Sequence, residues 1–508
     1  MSKEKENIYF YDTSILPPTE NISSRCERDY LQRELKKRFP DMDLHIESVV
    51  INKSGTYKKR IKKINNLPPY CEVKIHHCTG KHTEHIIIWS PFSWNGRFAG
   101  TAGGGTETGG EFYLTIPNNT VRGWTVPYAI VNGFTAGTTD AGNSRKSEDW
   151  AILANGRGPN WEAIENWRSR STHHMTILGK AVAEILHQRP VEYSYMNGGS
   201  GGGRQSLVEA QDWPEDYDGI WASCPAINWT KFVLEGLWFS AVMNTYKHTL
   251  TAEKIKFFTQ AVHDSVGGSD VYYTLSETQN FDPKTLVGHK TKHSIITLDD
   301  AKVMDELWKG AHRMNGEQLW YSFRPGTVFW NVGIPVGAFY YSLIKKQVKP
   351  FCLSESYARW ITQNPKEDFT NITIAQFEKI FDKSVALFKK VTADQADLSK
   401  FASRGGKLMI DHGLADPLIP VDGTIDYYRR MCEKHGGKEN VDKFCRLYIT
   451  PGDGHGNCWN FGPGITESDG MKALIDWVEK GIAPNAIRTV RVKKSNGKSI
   501  SEKMQKPY

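Results

Sequence analysis

No stretch of this 508-residue chain approaches the ~20 consecutive apolar residues that a membrane-spanning helix needs. A helical membrane protein is therefore excluded. Met1 to Glu20 is polar and holds no apolar core of the kind a secretory leader carries. The expectation is a cytoplasmic protein if the chain is complete, and a secreted one if a leader was removed. Cysteine is scarce too: Cys26, Cys71, Cys78, Cys224, Cys352, Cys432, Cys445 and Cys458 are scattered, with no dense disulfide framework. Strong charge of one sign is also missing, the formal net charge being +7. Its visible sources, Lys58 to Lys63 and the tail from Arg488 to Lys506, carry no interleaved aromatic residues and do not read as nucleic-acid surfaces. No nucleic-acid or membrane partner is expected, and the oligomeric state stays open.

Glycine is plentiful, and it clusters where backbone must come close. Val191, Tyr193 and Tyr195 alternate with other residues and lead into Asn197-Gly198-Gly199-Ser200-Gly201-Gly202, after which Arg204 to Gln211 opens as a helix. Strand, G-x-S-x-G turn and helix in that order form a nucleophile elbow, which lifts one hydroxyl above the end of a sheet. Ser200 is the candidate nucleophile. Gly198 and Gly202 fall where a side chain would collide with neighbouring backbone, and Gly201 offers its N–H to a developing oxyanion. A second cluster, Gly103 to Gly105, follows an early strand and is placed to supply the other N–H, with Gly104 taken as the donor.

Elsewhere, Cys71 to His76 and His85 to Ser90 read as a hairpin, and Tyr128 to Ala136 as another buried strand. Met175, Leu178, Val182 and Ile185 recur at helical spacing and predict a helix over Thr172 to Gln188, stopped by Pro190. Lys407 to Ile410 and Phe444 to Ile449 read as later strands, with helices over Asp422 to His435 and Ser468 to Lys480. This alternation points to an α/β fold, a mostly parallel sheet with helices on both faces. It stops between Asn228 and Lys400, which reads as an inserted lid. The expected organisation is a catalytic domain of residues 1–227 and 401–508 with a lid of 228–400.

A serine hydroxyl near neutral pH needs an imidazole base and an acid that holds the imidazole in the right tautomer. Asp416 stands in His412-Gly413-Leu414-Ala415-Asp416-Pro417 after one predicted strand, and His455 in Pro451-Gly452-Asp453-Gly454-His455-Gly456 after the next. The order Ser, Asp, His is the one this architecture requires. Asp411, Asp422 and Asp453 compete as the acid, although Asp422 reads better as a helix N-cap and Asp453 as a turn former. His412 competes as the base but reads better as a packed or hydrogen-bonding residue. His76, His77, Cys78, His82 and His85 crowd five zinc-type donors together, yet strand alternation sends neighbours to opposite faces, so no structural zinc is expected from them.

With these loops the chain resembles the tannase and feruloyl esterase family of α/β hydrolases. The likeness runs in order from about Leu67 to Ala483, through Leu67 to Cys71, Trp94 to Phe98, Gly133 to Asp140, Ser200 to Gln205, Pro214 to Ile220, Gly405 to Leu408, His412 to Pro420 and Thr424 to Tyr428. It implies an α/β-hydrolase fold with Ser200 as nucleophile, Asp416 as acid, His455 as base, and a lid over an aromatic acyl group. The implied activity is that of a serine esterase working through an acyl-enzyme on hydroxycinnamoyl or galloyl esters, the small-molecule partner being such an aromatic ester. Acyl transfer by the same triad, or binding of a phenolic ligand without turnover, are the alternatives. Two departures stand out. The family's disulfide joins a cysteine before the serine to one after the histidine, and here those positions are Gly199 and Gly456. The family's lid often binds calcium through regularly spaced aspartates, whereas His263 to Asp270 has glycine at one expected carboxylate and shortened spacing. Asp264 and Asp270 are the remaining calcium candidates, and no cofactor is expected.

Overall fold

The computed structural model describes residues 11–59, 62–115, 125–143, 148–156, 158–267, 278–332, 339–342, 347–456, 463–492 and 499–508. At its centre is a nine-stranded sheet of β1 (Asp43–Asn52), β2 (Tyr70–Thr79), β3 (His82–Pro91), β4 (Arg97–Thr101), β5 (Thr135–Thr139), β6 (Tyr193–Gly199), β7 (Gly219–Ser223), β8 (Lys407–Gly413) and β9 (Cys445–Thr450). The spatial order is β1-β2-β3-β5-β4-β6-β7-β8-β9. Pairings from β1 to β5 are antiparallel, while every pairing from β5 to β9 is parallel. Parallel neighbours need crossover connections, which bring helices back over the sheet.

Side chains alternate between two cores as a two-residue period requires. Ile86, Ile88, Ile220, Leu408, Ile410 and Leu447 join one cluster with Met175, Leu178 and Val182 of α1 (Ser171–His187), Leu207 of α2 (Gly201–Asp212) and Met431 of α3 (Val421–Lys434). Their sequence neighbours Ile87, Trp89, Trp221, Met409 and Tyr448 face the other way, onto Met471, Leu474 and Ile475 of α4 (Glu467–Lys480). Helices thus cover both faces. Helix α4 starts where the Thr466 hydroxyl accepts from the Asp469 amide at 3.1 Å and ends at Gly481 in the left-handed region, φ +71°.

The run Tyr128 to Ala136, expected as one strand, is instead a helix over Val126–Val131 followed by β5. Every residue of that helix is buried, and a continuous apolar run does not distinguish a buried strand from a buried helix. Pro127 in its first turn suits a helix start, and Gly133 at φ +81° makes the turn into β5.

Between Asn228 and Lys400 the described residues are mainly helices, with a three-stranded sheet of Trp330–Val332, Phe339–Ser342 and Gln347–Pro350. A third apolar cluster holds Trp229, Trp238, Trp360 and Phe377 from this stretch and also takes in Ile152, Ile164 and Trp167 from before β6. No helix among the described residues is long and apolar enough to cross a membrane.

Candidate active site

Three loops leave the sheet at the carboxyl ends of the parallel strands β6, β8 and β9, and they carry Ser200, Asp416 and His455. Ser200 follows β6 directly and precedes α2, with φ +60° and ψ −121°, a conformation that residues bearing a Cβ adopt rarely. The surrounding backbone holds it there: the Ser200 N–H donates to Ser223 O at 2.9 Å, and the Arg204 and Ala226 amides donate to Ser200 O, both at 3.0 Å. The flanking glycines answer to close contacts. A Cβ on Gly198 would run into Gly202 O, and one on Gly201 into Gly105 O.

Asp416 is fully buried, and all its acceptor capacity is in use. Its Oδ2 lies 2.8 Å from His455 Nδ1 and 3.1 Å from His412 Nε2, while Oδ1 accepts the Leu418 and Ile419 amides at 2.8 and 2.9 Å. Burial alone would raise its pKa, but the His455 and His412 imidazoles overcome this and hold the carboxyl well below the usual range. The rival acids have other partners. Asp411 accepts from the Trp221 indole at 2.7 Å and from the Ser223 hydroxyl, and Asp453 Oδ1 accepts the Gly454 amide at 3.0 Å. Asp422, expected as an N-cap, sits inside the first turn of α3, whose N-cap is Pro420, and pairs with Arg324.

His412 has both ring nitrogens engaged. Nε2 faces two acceptors, Asp416 Oδ2 and Ile419 O at 3.2 Å, so it must carry the proton, and Nδ1 lies 2.9 Å from the Thr424 hydroxyl. With no lone pair directed toward a substrate, this ring is a buried hydrogen-bonding residue. His455 bonds Asp416 through Nδ1 and, among the described residues, makes no hydrogen bond to the Ser200 hydroxyl. Such contacts commonly tighten only once substrate is bound.

One residue of this centre gave no signal that the sequence reading used. Cys224 begins the loop after β7 at φ +34°. Its sulfur, an Asp416 oxygen and a His455 nitrogen lie within 4.8 Å of one another. Because its neighbours Ser223 and Ala226 bond the Ser200 backbone, Cys224 bridges the elbow and the histidine. Burial opposes charge on the His455 ring, but the Asp416 carboxylate and then Cys224 more than offset it, so the imidazole pKa is raised well above its ordinary value. Burial pushes the Cys224 thiol pKa up. A position immediately after a strand of the parallel set was the available clue.

The acid strand and the histidine loop meet backbone to backbone, since a Cβ on Gly413 would run into the carbonyl oxygens of Asp453 and Gly454. The Ala415 amide donates to Asp453 O across the same seam at 2.9 Å. Near the elbow, Gly104 differs from expectation: its amide donates to the Tyr113 hydroxyl at 2.8 Å and is already taken. The next residue, Gly105 at φ +60°, borders Gly201. Of the calcium candidates, Asp264 accepts from Gln260 at 2.8 Å, and Asp270 lies outside the described residues, as does Cys458. The seven described cysteines carry free thiols. Of the crowded zinc-type donors, His76 meets Glu47, His82 meets Ala141 O, His85 meets Asp140 and Cys78 meets the Thr83 hydroxyl, while the His76 and His85 rings stand edge to face with centroids 4.7 Å apart.

Residues 71–506 match the family model described as tannase and feruloyl esterase. A probable feruloyl esterase of Arthroderma benhamiae is 34% identical over 424 residues, covering 79% of this chain and 74% of that protein. A probable feruloyl esterase B-2 of Aspergillus fumigatus is 27% identical over 463 residues, covering 85% of this chain and 80% of its own length. Among solved structures, tannin acyl hydrolase from Aspergillus niger superposes with a TM-score of 0.79 at 18% identity, covering 97% of this chain and 93% of that one. Feruloyl esterase B from Aspergillus oryzae gives 0.74 at 19% identity, covering 94% and 96%. The fold is that of an α/β hydrolase.

Proposed function

The chain belongs to the tannase and feruloyl esterase family, and from that premise we propose that it is a serine esterase hydrolysing hydroxycinnamoyl or galloyl esters through an acyl-enzyme. One observation carries the reading: a buried aspartate fixes the His455 imidazole through Nδ1 at 2.8 Å, at the same sheet end as an elbow serine. The carboxylate keeps the proton on Nδ1, which leaves Nε2 as the basic nitrogen. His455 Nε2 takes the Ser200 proton as Oγ attacks the ester carbonyl carbon. The new oxyanion is met by the Gly201 amide and, since Tyr113 occupies Gly104, by the amide of Gly105. Collapse breaks the bond to the alcohol oxygen, which leaves with the proton from His455. Water then repeats the sequence on the acyl-enzyme and releases the acid. Residues 228–400 act as the lid over the acyl ring, and the catalytic domain is residues 1–227 and 401–508.

The test is a panel of methyl ferulate, methyl gallate, chlorogenate and aliphatic p-nitrophenyl esters. The expected outcome is a kcat/KM at least about tenfold higher for one aromatic acyl ester than for the aliphatic ones, since a fitted ring pocket adds about 1.4 kcal/mol or more. A flat profile would remove the aromatic assignment, and aromatic binding without acid release would remove the esterase.

His412 is a positioning residue in this scheme, because it donates to the Asp416 oxygen that also serves His455. His412→Ala leaves that carboxylate one donor short, and kcat should fall by roughly 10- to 100-fold at nearly constant KM. His412→Gln, whose amide can still donate, should recover most of the loss. Equal kcat values for the two variants would show that the ring only fills space.

A further inference from the structure

Away from the triad, Glu84 on β3 is buried with 0% of its side chain exposed. Its Oε1 lies 2.7 Å from His77 Nδ1 on β2 and 2.7 Å from His174 Nδ1 on α1. The two rings stand edge to face with centroids 4.5 Å apart. Oε2 is buried and, among the described residues, meets no hydrogen-bond donor in good geometry; the Ser171 hydroxyl lies beside the carboxylate, favours its charged form and also contacts the Thr139 hydroxyl at 2.7 Å. Among the described residues no lysine or arginine pairs with Glu84. A carboxylate at this depth therefore has two imidazoles for company and no permanent counter-charge. Buried carboxylates are costly unless paired or bound to a cation.

We propose that His77, Glu84 and His174 bind one divalent transition-metal ion, Zn2+ fitting best by donor type. Their donor atoms all lie within 4.8 Å of one another. Two imidazole nitrogens and one carboxylate oxygen are a zinc donor set, with a fourth position left for water. Binding through Nδ1 requires each ring to carry its proton on Nε2, and the cation then meets the carboxylate charge. Ligands about 2.0–2.1 Å from a tetrahedral ion stand ~3.3 Å apart, whereas both Nδ1 atoms lie 2.7 Å from Glu84 Oε1, so the carboxylate and each ring must draw apart by roughly half an ångström. His174 is able to, since 16% of its side chain is exposed and it sits in the first turn of α1. That exposed edge is also the way in. The ion would clamp the β2–β3 hairpin to α1, a structural role independent of ester hydrolysis.

The experiment uses the full chain stripped with a chelator and then titrated with Zn2+ by calorimetry and thermal melting, beside His174→Ala and Glu84→Gln. Expected are one ion per chain, a rise in melting temperature of about 3–5 °C, and a visible absorption band of a four-coordinate ion when Co2+ replaces Zn2+. His174→Ala, which removes a partly exposed ring, should fold and lose at least about tenfold in affinity. Should Glu84→Gln not fold, His174→Ala and the Co2+ band still decide. Absence of saturable Zn2+ binding, or equal affinity in wild type and His174→Ala, overturns the proposal and leaves a hydrogen-bonded cluster of two histidines around a carboxylate.

Discussion

Ser200→Ala is expected to lower kcat for every ester by about 10⁴-fold or more, while KM moves by only a few-fold. The size follows from what the hydroxyl does in the proposed scheme. It supplies the attacking atom, so its loss ends covalent catalysis instead of weakening it. What remains is the oxyanion donors and substrate binding, which alone give a modest acceleration over water. The fold should tolerate the change, because Ser200 is held by its own backbone N–H and C=O and its side chain is only partly buried. Active-site titration with a chromogenic ester checks this, the expected outcome being a burst of alcohol from the wild type and none from the variant. A burst of equal amplitude in the variant would assign the nucleophile elsewhere.

Asp416→Asn should cost on the order of 10³- to 10⁴-fold in kcat. Asparagine keeps the shape but offers one oxygen and one NH2 in place of two acceptors. Since Asp416 accepts two backbone amides through Oδ1 and two imidazoles through Oδ2, one of these pairs must face a donor. If that pair is the imidazoles, His455 loses the partner that fixes its tautomer. The pH dependence has a definite sign. The carboxylate raises the His455 pKa, and the base works only when neutral, so activity is lost as pH falls through that value. Without the carboxylate the imidazole gives up its proton more readily, and the acid limb of the residual kcat/KM profile moves to lower pH. A limb that stays in place, with kcat within tenfold of wild type, would detach Asp416 from the base.

The elbow was legible in the sequence because its causes are local. Gly198, Gly201 and Gly202 are spaced by the radius of one tight turn, and each is crowded by backbone within a few residues or by the adjacent Gly103 to Gly105 loop. Strands β8 and β9 were legible because their apolar runs are short and bounded by turn residues. The helix over Val126–Val131 was misread as strand, since a run buried on all sides has no period to betray it. What stayed hidden depends on side chains reaching across the fold. The Tyr113 hydroxyl returns to cap the Gly104 amide, Arg324 captures Asp422 from a distant segment, and His174 arrives beside Glu84 from 90 residues away. Each of these pairings is decided by packing, and no spacing rule in one sequence carries it. Cys224 lies between the two cases, since its place after β7 is readable but its contact with the imidazole needs the third dimension.

Glycine stands at position 199 beside the elbow serine and at position 456 beside the loop histidine, and the seven described cysteines are unlinked thiols. The histidine loop is tied instead to the acid loop, by amide-to-carbonyl contacts such as Ala415 to Asp453. Among the described residues, the contact between these two loops is thereby uncoupled from the electron balance of the surroundings, since dithiothreitol or glutathione has no bond to cut there.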